Sequence, residues 1–260
     1  MGRAWTGSAT LMALTLAAAT AGAQEGVAPS EKYGLRLQYR EFRPTLSGVV
    51  QKGFEERAGT VVSVTDDLGI GDERTFDVRA TIQFKPGWKI RGSYTPFDYS
   101  GDTEVNTPFT YGETRYARFE NVASSVKGAY YSADLEWDFV TGEHGFLGAV
   151  VGAKLFDVDA ALVNTSINVR ELDTITAVVP AVGLAGRFYA GRVSLEGEVA
   201  GLSIGSQGSV LDAEGSVRIH ISDRLAAMGG YRYLKLKGTD SLGVVDIKLK
   251  GWEFGLEISL

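Results

Sequence analysis

The chain holds two histidines, and one of them, His220, stands two residues before a hydroxyl in His220-Ile-Ser222. On an extended backbone, residues i and i+2 share a face, so a base and a candidate nucleophile would point the same way. A three-residue match is too short to identify an enzyme by itself. The second histidine, His144, lies in Thr141-Gly-Glu-His-Gly145, which reads as a tight turn. The acidic runs Asp66-Asp67, Asp72-Glu73 and Asp157/Asp159 could attract Ca²⁺, but they lack the regular ligand spacing of a Ca²⁺ loop and read as solvated surface. With no cysteine in 260 residues, disulfides and thiolate metal sites are ruled out, and no cofactor is expected. The larger set of chemistry-bearing residues is ionic. Arg36, Arg40, Arg79, Lys89 and Arg91 come early in the chain; Asp134, Glu136, Asp138, Glu196, Glu198, Arg218, Glu253 and Glu257 follow.

Strands must hold this set. In Gly251–Leu260, Trp252, Phe254, Leu256, Ile258 and Leu260 fall on one parity, with Glu253, Gly255, Glu257 and Ser259 on the other. Strict period two places every large apolar side chain on one face and the polar ones opposite. The same alternation marks Tyr33–Arg40, Phe76–Phe84, Trp88–Thr95, Tyr131–Phe139, residues 146–156, Val193–Val199, Leu211–Ser222 and residues 225–236; residues 174–189 are extended with no clear parity. Ten strands result. Tight connections at 85–87, 141–145, 190–192 and 222–224 alternate with longer ones at 43–73, 98–126, 157–173, 205–208 and 238–243. In the last hairpin, Leu234 and Leu236 have the opposite parity to Tyr231 and Tyr233, as do Val245, Ile247 and Leu249 to Trp252 and Phe254. Either a paired bulge or an extension beyond a bilayer would explain this.

The fold class expected is all-β: a closed antiparallel up-and-down transmembrane barrel of about ten strands, with twelve or eight as alternatives. Leu135, Trp137, Ile219, Trp252, Phe254 and Leu256 then face lipid, and the charges face the lumen. Ten strands enclose far less than the 16–18 that leave an aqueous channel, so the inward charges are expected to pair across the lumen rather than line a pore. Closure pairs the first strand with the last. That brings Arg36 near Glu257 and Arg40 near Glu253, and the 98–126 connection brings Lys89 near Asp138 and Arg91 near Glu136. Charge reversal at Arg36 should therefore destabilise the barrel, and reversal of Glu257 should partly rescue it.

Arg3, the apolar Leu11–Ala19 and the A-x-A site Ala21-Gly-Ala23 read as a secretory signal covering residues 1–23, with the barrel in 24–260. No cysteine stands near the cut, which excludes a lipoprotein. Without the signal the chain carries 25 basic and 32 acidic residues, a balance that argues against nucleic acid as a partner. No later segment approaches the length of a spanning helix, so crossing a membrane would require a closed barrel.

The export signal, the Gly230-Tyr-Arg-Tyr-Leu234 segment and the alternating Trp252–Leu260 strand together resemble the broad group of porin-like, OmpA-like bacterial outer-membrane β-barrel proteins. The resemblance covers the mature chain as a pattern and is specific to an architecture, not to one activity. It implies a place in the Gram-negative cell envelope, in the outer membrane after export through the inner one. It also implies a short-turn rim facing the periplasm, outer-membrane lipid and lipopolysaccharide as surroundings, and the barrel-assembly machinery as a partner in biogenesis. In that group the last strand usually ends in Phe or Trp; here it ends in Leu260. Oligomeric state is not indicated. His220-Ile-Ser222 looks like the His-x-Ser pair of outer-membrane lipid A deacylases, yet it sits beside the 222–224 turn, whereas those enzymes work at the outer leaflet. A ten-stranded outer-membrane protease would need an Asp/His set at the loop rim, where neither histidine falls. The expectation is a non-enzymatic barrel, structural or with a narrow passive path for small solutes. The alternatives are an outer-membrane enzyme acting on lipid or peptide, and a soluble periplasmic β-barrel binding a small ligand.

Overall fold

A strand edge exposes unpaired N–H and C=O groups, and a sheet with long strands removes its edges only by closing. The computed structural model, which describes residues 31–203, 208–239 and 242–260, shows this closure. The expected signal segment 1–23 lies outside the described residues, as do residues 205–207 of one expected connection. The elements are β1 (Leu35–Lys52), β2 (Val62–Ser63), β3 (Thr75–Lys85), β4 (Trp88–Glu104), β5 (Phe109–Tyr111), β6 (Thr114–Tyr116), β7 (Asn121–Gly142), β8 (Gly145–Asn164), β9 (Val169–Ala190), β10 (Val193–Ser203), β11 (Gly208–His220), β12 (Leu225–Thr239) and β13 (Gly243–Ser259). Ten of them form one antiparallel barrel in the order β1-β3-β4-β7-β8-β9-β10-β11-β12-β13, and β13 returns to pair with β1. That closing ladder is unbroken from Arg36↔Ser259 to Lys52↔Gly243. β2 adds two pairs to the upper end of β1, and β5–β6 is a separate hairpin.

The strands are longer than a bilayer needs. β7 and β9 each have 22 residues, about twice the 9–11 that cross a membrane. Three stretches expected as loops are partly or mostly strand for this reason. β1 runs on to Lys52, β4 to Glu104 and β8 to Asn164, and the expected fifteen-residue loop at 157–173 reduces to a turn between Asn164 and Val169. β7 starts at Asn121, in line with the extended pattern of Val122, Ser124 and Val126.

Period two holds along these strands, but its polarity exchanges partway up. On β1, Leu37 and Tyr39 face out while Arg36, Gln38 and Arg40 are buried inside; above them Phe42 and Leu46 are the buried ones, with Arg43 and Thr45 outside. On β4 the buried Lys89, Arg91, Ser93 and Thr95 give way to Tyr99. On β8 the buried Lys154 gives way to Phe156 and Leu162, and on β12 Arg232 gives way to Leu234. The parity change in the last hairpin is this exchange. β12 and β13 keep one continuous register, so extension beyond the apolar band, not a bulge, accounts for it. The two register shifts, at Gln83/Lys85 and Asp138/Val140, lie at the other rim.

At that rim the connections are short, and two of them turn on glycines at positive φ, Gly87 (70°) and Gly191 (62°), where a Cβ would be strained. At the long-loop rim, residues 53–74 fold back so that Val62, Val64, Leu68 and Ile70 pack against Leu46, Tyr99, Val122 and Leu162.

Candidate functional site in the barrel lumen

Below the exchange, the lumen is filled with paired charges. Glu257 on β13 accepts two hydrogen bonds from Arg187 (2.9 Å each), one from Arg218 Nε (2.9 Å) and one from Gln38 (2.9 Å), with Arg36 Nε at 3.4 Å. Glu196 bridges the same Arg187 (Nε, 2.6 Å) and Arg218 (2.8 Å). Lys89 Nζ lies 2.9 Å from both Glu136 and Asp138 and over the Phe146 ring, while Arg91 reaches Glu136 (3.1 Å) and Glu198 (2.9 Å). One layer higher, Arg40 donates to Asp77 (Nε, 2.9 Å), Glu214 (2.9 Å) and Glu253 (2.9 Å). Arg79 forks onto Glu214 (2.6 and 3.0 Å) with Glu198 at 3.4 Å. Arg232 forks onto Asp212 (3.0 and 2.8 Å) and reaches Asp77 (3.2 Å). Lys154 holds both oxygens of Asp134. Bidentate guanidinium–carboxylate contacts are the strong form of such bonds. Every cation of the set touches a carboxylate, so no positive charge is left to select an anionic solute.

All thirteen charges singled out in the sequence therefore lie in the lumen, and the four pairs expected from strand pairing are within 3.4 Å. Seven members were not anticipated. Asp77, Asp212, Glu214 and Arg232 sit on the polar parity of their strands, where alternation already placed them, and Lys154 sits on β8 opposite the apolar face of Leu147–Leu155. Arg187 belongs to β9, whose faces could not be told apart because Ala181, Gly183 and Ala185 line its inner side. Glu31 precedes β1 and carries no alternation signal. Its carboxylate accepts from Arg36 (3.1 Å) and from the Tyr189 hydroxyl, so the segment before β1 is part of the lumen filling.

The His-Ser reading of the sequence is corrected. Ser222 Oγ accepts from the backbone N–H of Leu225 (3.1 Å) and shapes the turn, whereas His220 Nε2 lies 2.9 Å from Ser194 Oγ on β10. Ser194 is almost fully buried, beyond the reach of a substrate. His144 is at the β7–β8 turn of the short-turn rim. The acidic runs have structural work: Asp67 accepts from the Ser63 N–H (2.8 Å), and Asp72 from that of Leu46 (3.1 Å). Asp157 and Asp159 accept from Thr176 and Thr174 on the outer wall. Among the described residues no group of three His, Asp or Glu side chains is placed to hold a metal ion.

Among the described residues, a cavity between Arg36, Arg79, Lys89, Arg91, Arg187 and Glu196 has room for about one water. Above it, the apolar plug closes the lumen, and the β5–β6 hairpin is latched across the mouth. Lys52 bridges to Asp173 (2.7 Å), Thr114 donates to Glu171 (2.8 Å) and Tyr111 to Asp173 (3.2 Å). Burial, and then the Asp173 carboxylate, push the Tyr111 hydroxyl well above its ordinary pKa.

On the outside, Trp137, Ile219, Trp252, Phe254 and Leu256 are each about half exposed, and Leu135 is partly covered by its neighbours. They belong to a continuous apolar belt around the lower barrel. The architecture is that of a bacterial outer-membrane β-barrel. No protein-family model and no curated protein matches the chain. Among solved structures it is similar to the outer membrane protease OmpT from Escherichia coli, at 8% identity and a TM-score of 0.57, covering 89% of this chain and 100% of that one. It is also similar to the translocator domain of the autotransporter NalP from Neisseria meningitidis (10%, TM-score 0.46, 87% and 88%) and to the attachment invasion locus protein Ail of Yersinia pestis (11%, 0.35, 88% and 99%). At these identities the likeness concerns the fold alone.

Proposed function

We propose that this chain is a non-enzymatic barrel of the bacterial outer membrane whose lumen is a structural ionic core, closed to solutes. The observation that carries the reading is the exchange of polarity along one set of strands. A belt of apolar side chains outside charged layers suits lipid, and polar side chains outside an apolar core suit water. A soluble monomer rarely exposes an apolar area as large as this belt, which speaks against a soluble periplasmic barrel. The filled lumen speaks against a passive path. Lipid and lipopolysaccharide would surround the belt, and the assembly machinery would meet the chain during insertion.

Purified protein in planar bilayers should give no stepwise conductance above the leak of protein-free membranes; sustained unitary steps would sink the closed reading. Protease added to intact cells should cut within the exposed turn at residues 54–61 and leave the Lys85–Gly87 turn intact. The reverse pattern would invert the orientation.

A further inference from the structure

Immediately above the apolar belt, the outer wall carries cations that the protein itself leaves largely unmatched. Lys235 and Lys248 stand directly opposite each other on β12 and β13, on the outward face, because Leu234, Leu236, Ile247 and Leu249 take the inward one. Lys250 faces outward one step lower, opposite Thr45 of β1 and Tyr233 of β12. Arg43 lies beside them opposite Trp252, its guanidinium 5.9 Å from the Phe254 ring and its Nε 2.7 Å from Glu41. Like charges directly across a sheet destabilise it. Among the described residues, the one carboxylate within ion-pair distance of these lysines is Asp246, 3.7 Å from Lys235. On the β7–β9 side of the upper wall the balance is reversed, with Asp157 and Asp159 exposed and Lys127 already paired to Asp98.

Height makes the cation excess meaningful. From Leu260 to Lys250 is ten residue steps; at ~3.4 Å each and a tilt of ~40–45°, the rise is about 25 Å, the height of the apolar band of such barrels. The Tyr231–Trp252 pair, edge to face at 5.3 Å, sits just beneath, where interfacial aromatics belong. The lysines thus stand at head-group level, spaced ~5 Å across strands and ~7 Å along them.

We propose that the outward face of β12, β13 and β1 at Arg43, Lys235, Lys248 and Lys250 binds the phosphate groups of an anionic, multiply phosphorylated lipid head group in the outer leaflet. The proposal rests on the outer-membrane placement above. Two or more phosphates supply the counter-charge that the sheet lacks, and the acyl chains continue onto the Trp252–Phe254–Leu256 stripe.

The test uses the folded protein in a zwitterionic detergent, titrated with lipopolysaccharide, with its dephosphorylated form and with inorganic phosphate. A variant carrying R43Q, K248Q and K250Q should bind phosphorylated lipid about ten-fold or more weakly than the wild type. The wild type should lose comparable affinity for the dephosphorylated lipid and weaken as salt rises. D157N/D159N should bind as the wild type does, and inorganic phosphate should compete only at concentrations far above those of the lipid. Unchanged binding by the triple variant, equal retention of dephosphorylated lipid, or equal loss in the Asp variant would overturn the proposal. The heat-modifiable gel shift reports folding, and if the triple variant does not fold, K250Q alone carries the same comparison with a smaller loss. Fractionation separates the two readings. Wild-type protein absent from the outer membrane defeats the placement, whereas correct fractionation with unchanged binding defeats the phosphate site alone.

Discussion

Arg40→Met is expected to destabilise the barrel by roughly 3–5 kcal/mol, the order found when one partner of a buried ionic cluster is removed. Arg40 is 1% exposed and neutralises Asp77, Glu214 and Glu253 together. Its loss strands three carboxylates in the buried interior, away from water. Adding Glu253→Gln should recover part of the loss, because one stranded charge is then gone. Urea unfolding in detergent, followed by tryptophan fluorescence, measures both. A midpoint for Arg40→Met within error of the wild type would show that the ionic core contributes nothing to stability. The same contact pattern corrects a simpler expectation for Arg36 and Glu257. They are not an isolated pair, since Glu257 also holds Arg187 and Arg218. Reversing Glu257 would set a cation against both arginines, so it should not rescue reversal of Arg36.

The second large effect should come from the outside. Leu256→Arg places a charge in the apolar belt and should cost roughly 2–4 kcal/mol in lipid. Thr174→Arg also points outward, but from the polar upper wall, and should change stability by less than about 0.5 kcal/mol. Refolding yield and urea midpoints in phospholipid vesicles give the comparison. Similar costs at the two positions would mean that the polarity exchange does not mark the edge of the bilayer.

Alternation disclosed nine of the ten barrel strands and the inward charges, because period two is a direct record of two faces in different environments, and closure of the sheet then required the β1–β13 ladder. It was less informative where the environments changed. Residues 43–52 and 157–164 read as loop because their outward side chains, such as Arg43, Asp157 and Asp159, are polar. Their inward partners Leu46 and Leu162 belong to the apolar plug, and no local pattern announces the packing of a distant loop. Arg187 was hidden for a different reason: with Ala and Gly on one face of β9 and Val, Leu and Phe on the other, both faces are apolar. Ser194 could not have been matched to His220 from spacing, since the contact is made across a strand pair 26 residues apart.

The exchange of polarity also makes the molecule a gauge of bilayer thickness. The lower margin of the belt lies at Ile258 and Leu260, and the upper margin lies between Trp252 and Lys250. Both margins are part of one continuous sheet that closes on itself, so neither can shift without the other. Helices adapt to a thicker membrane by tilting, at a cost of fractions of a kcal/mol per Å. A closed barrel with a packed interior has no such freedom. The lipid must do the adapting, thinning or thickening around a rigid collar, and that local deformation would favour membranes, and regions within a membrane, whose apolar span matches about 25 Å.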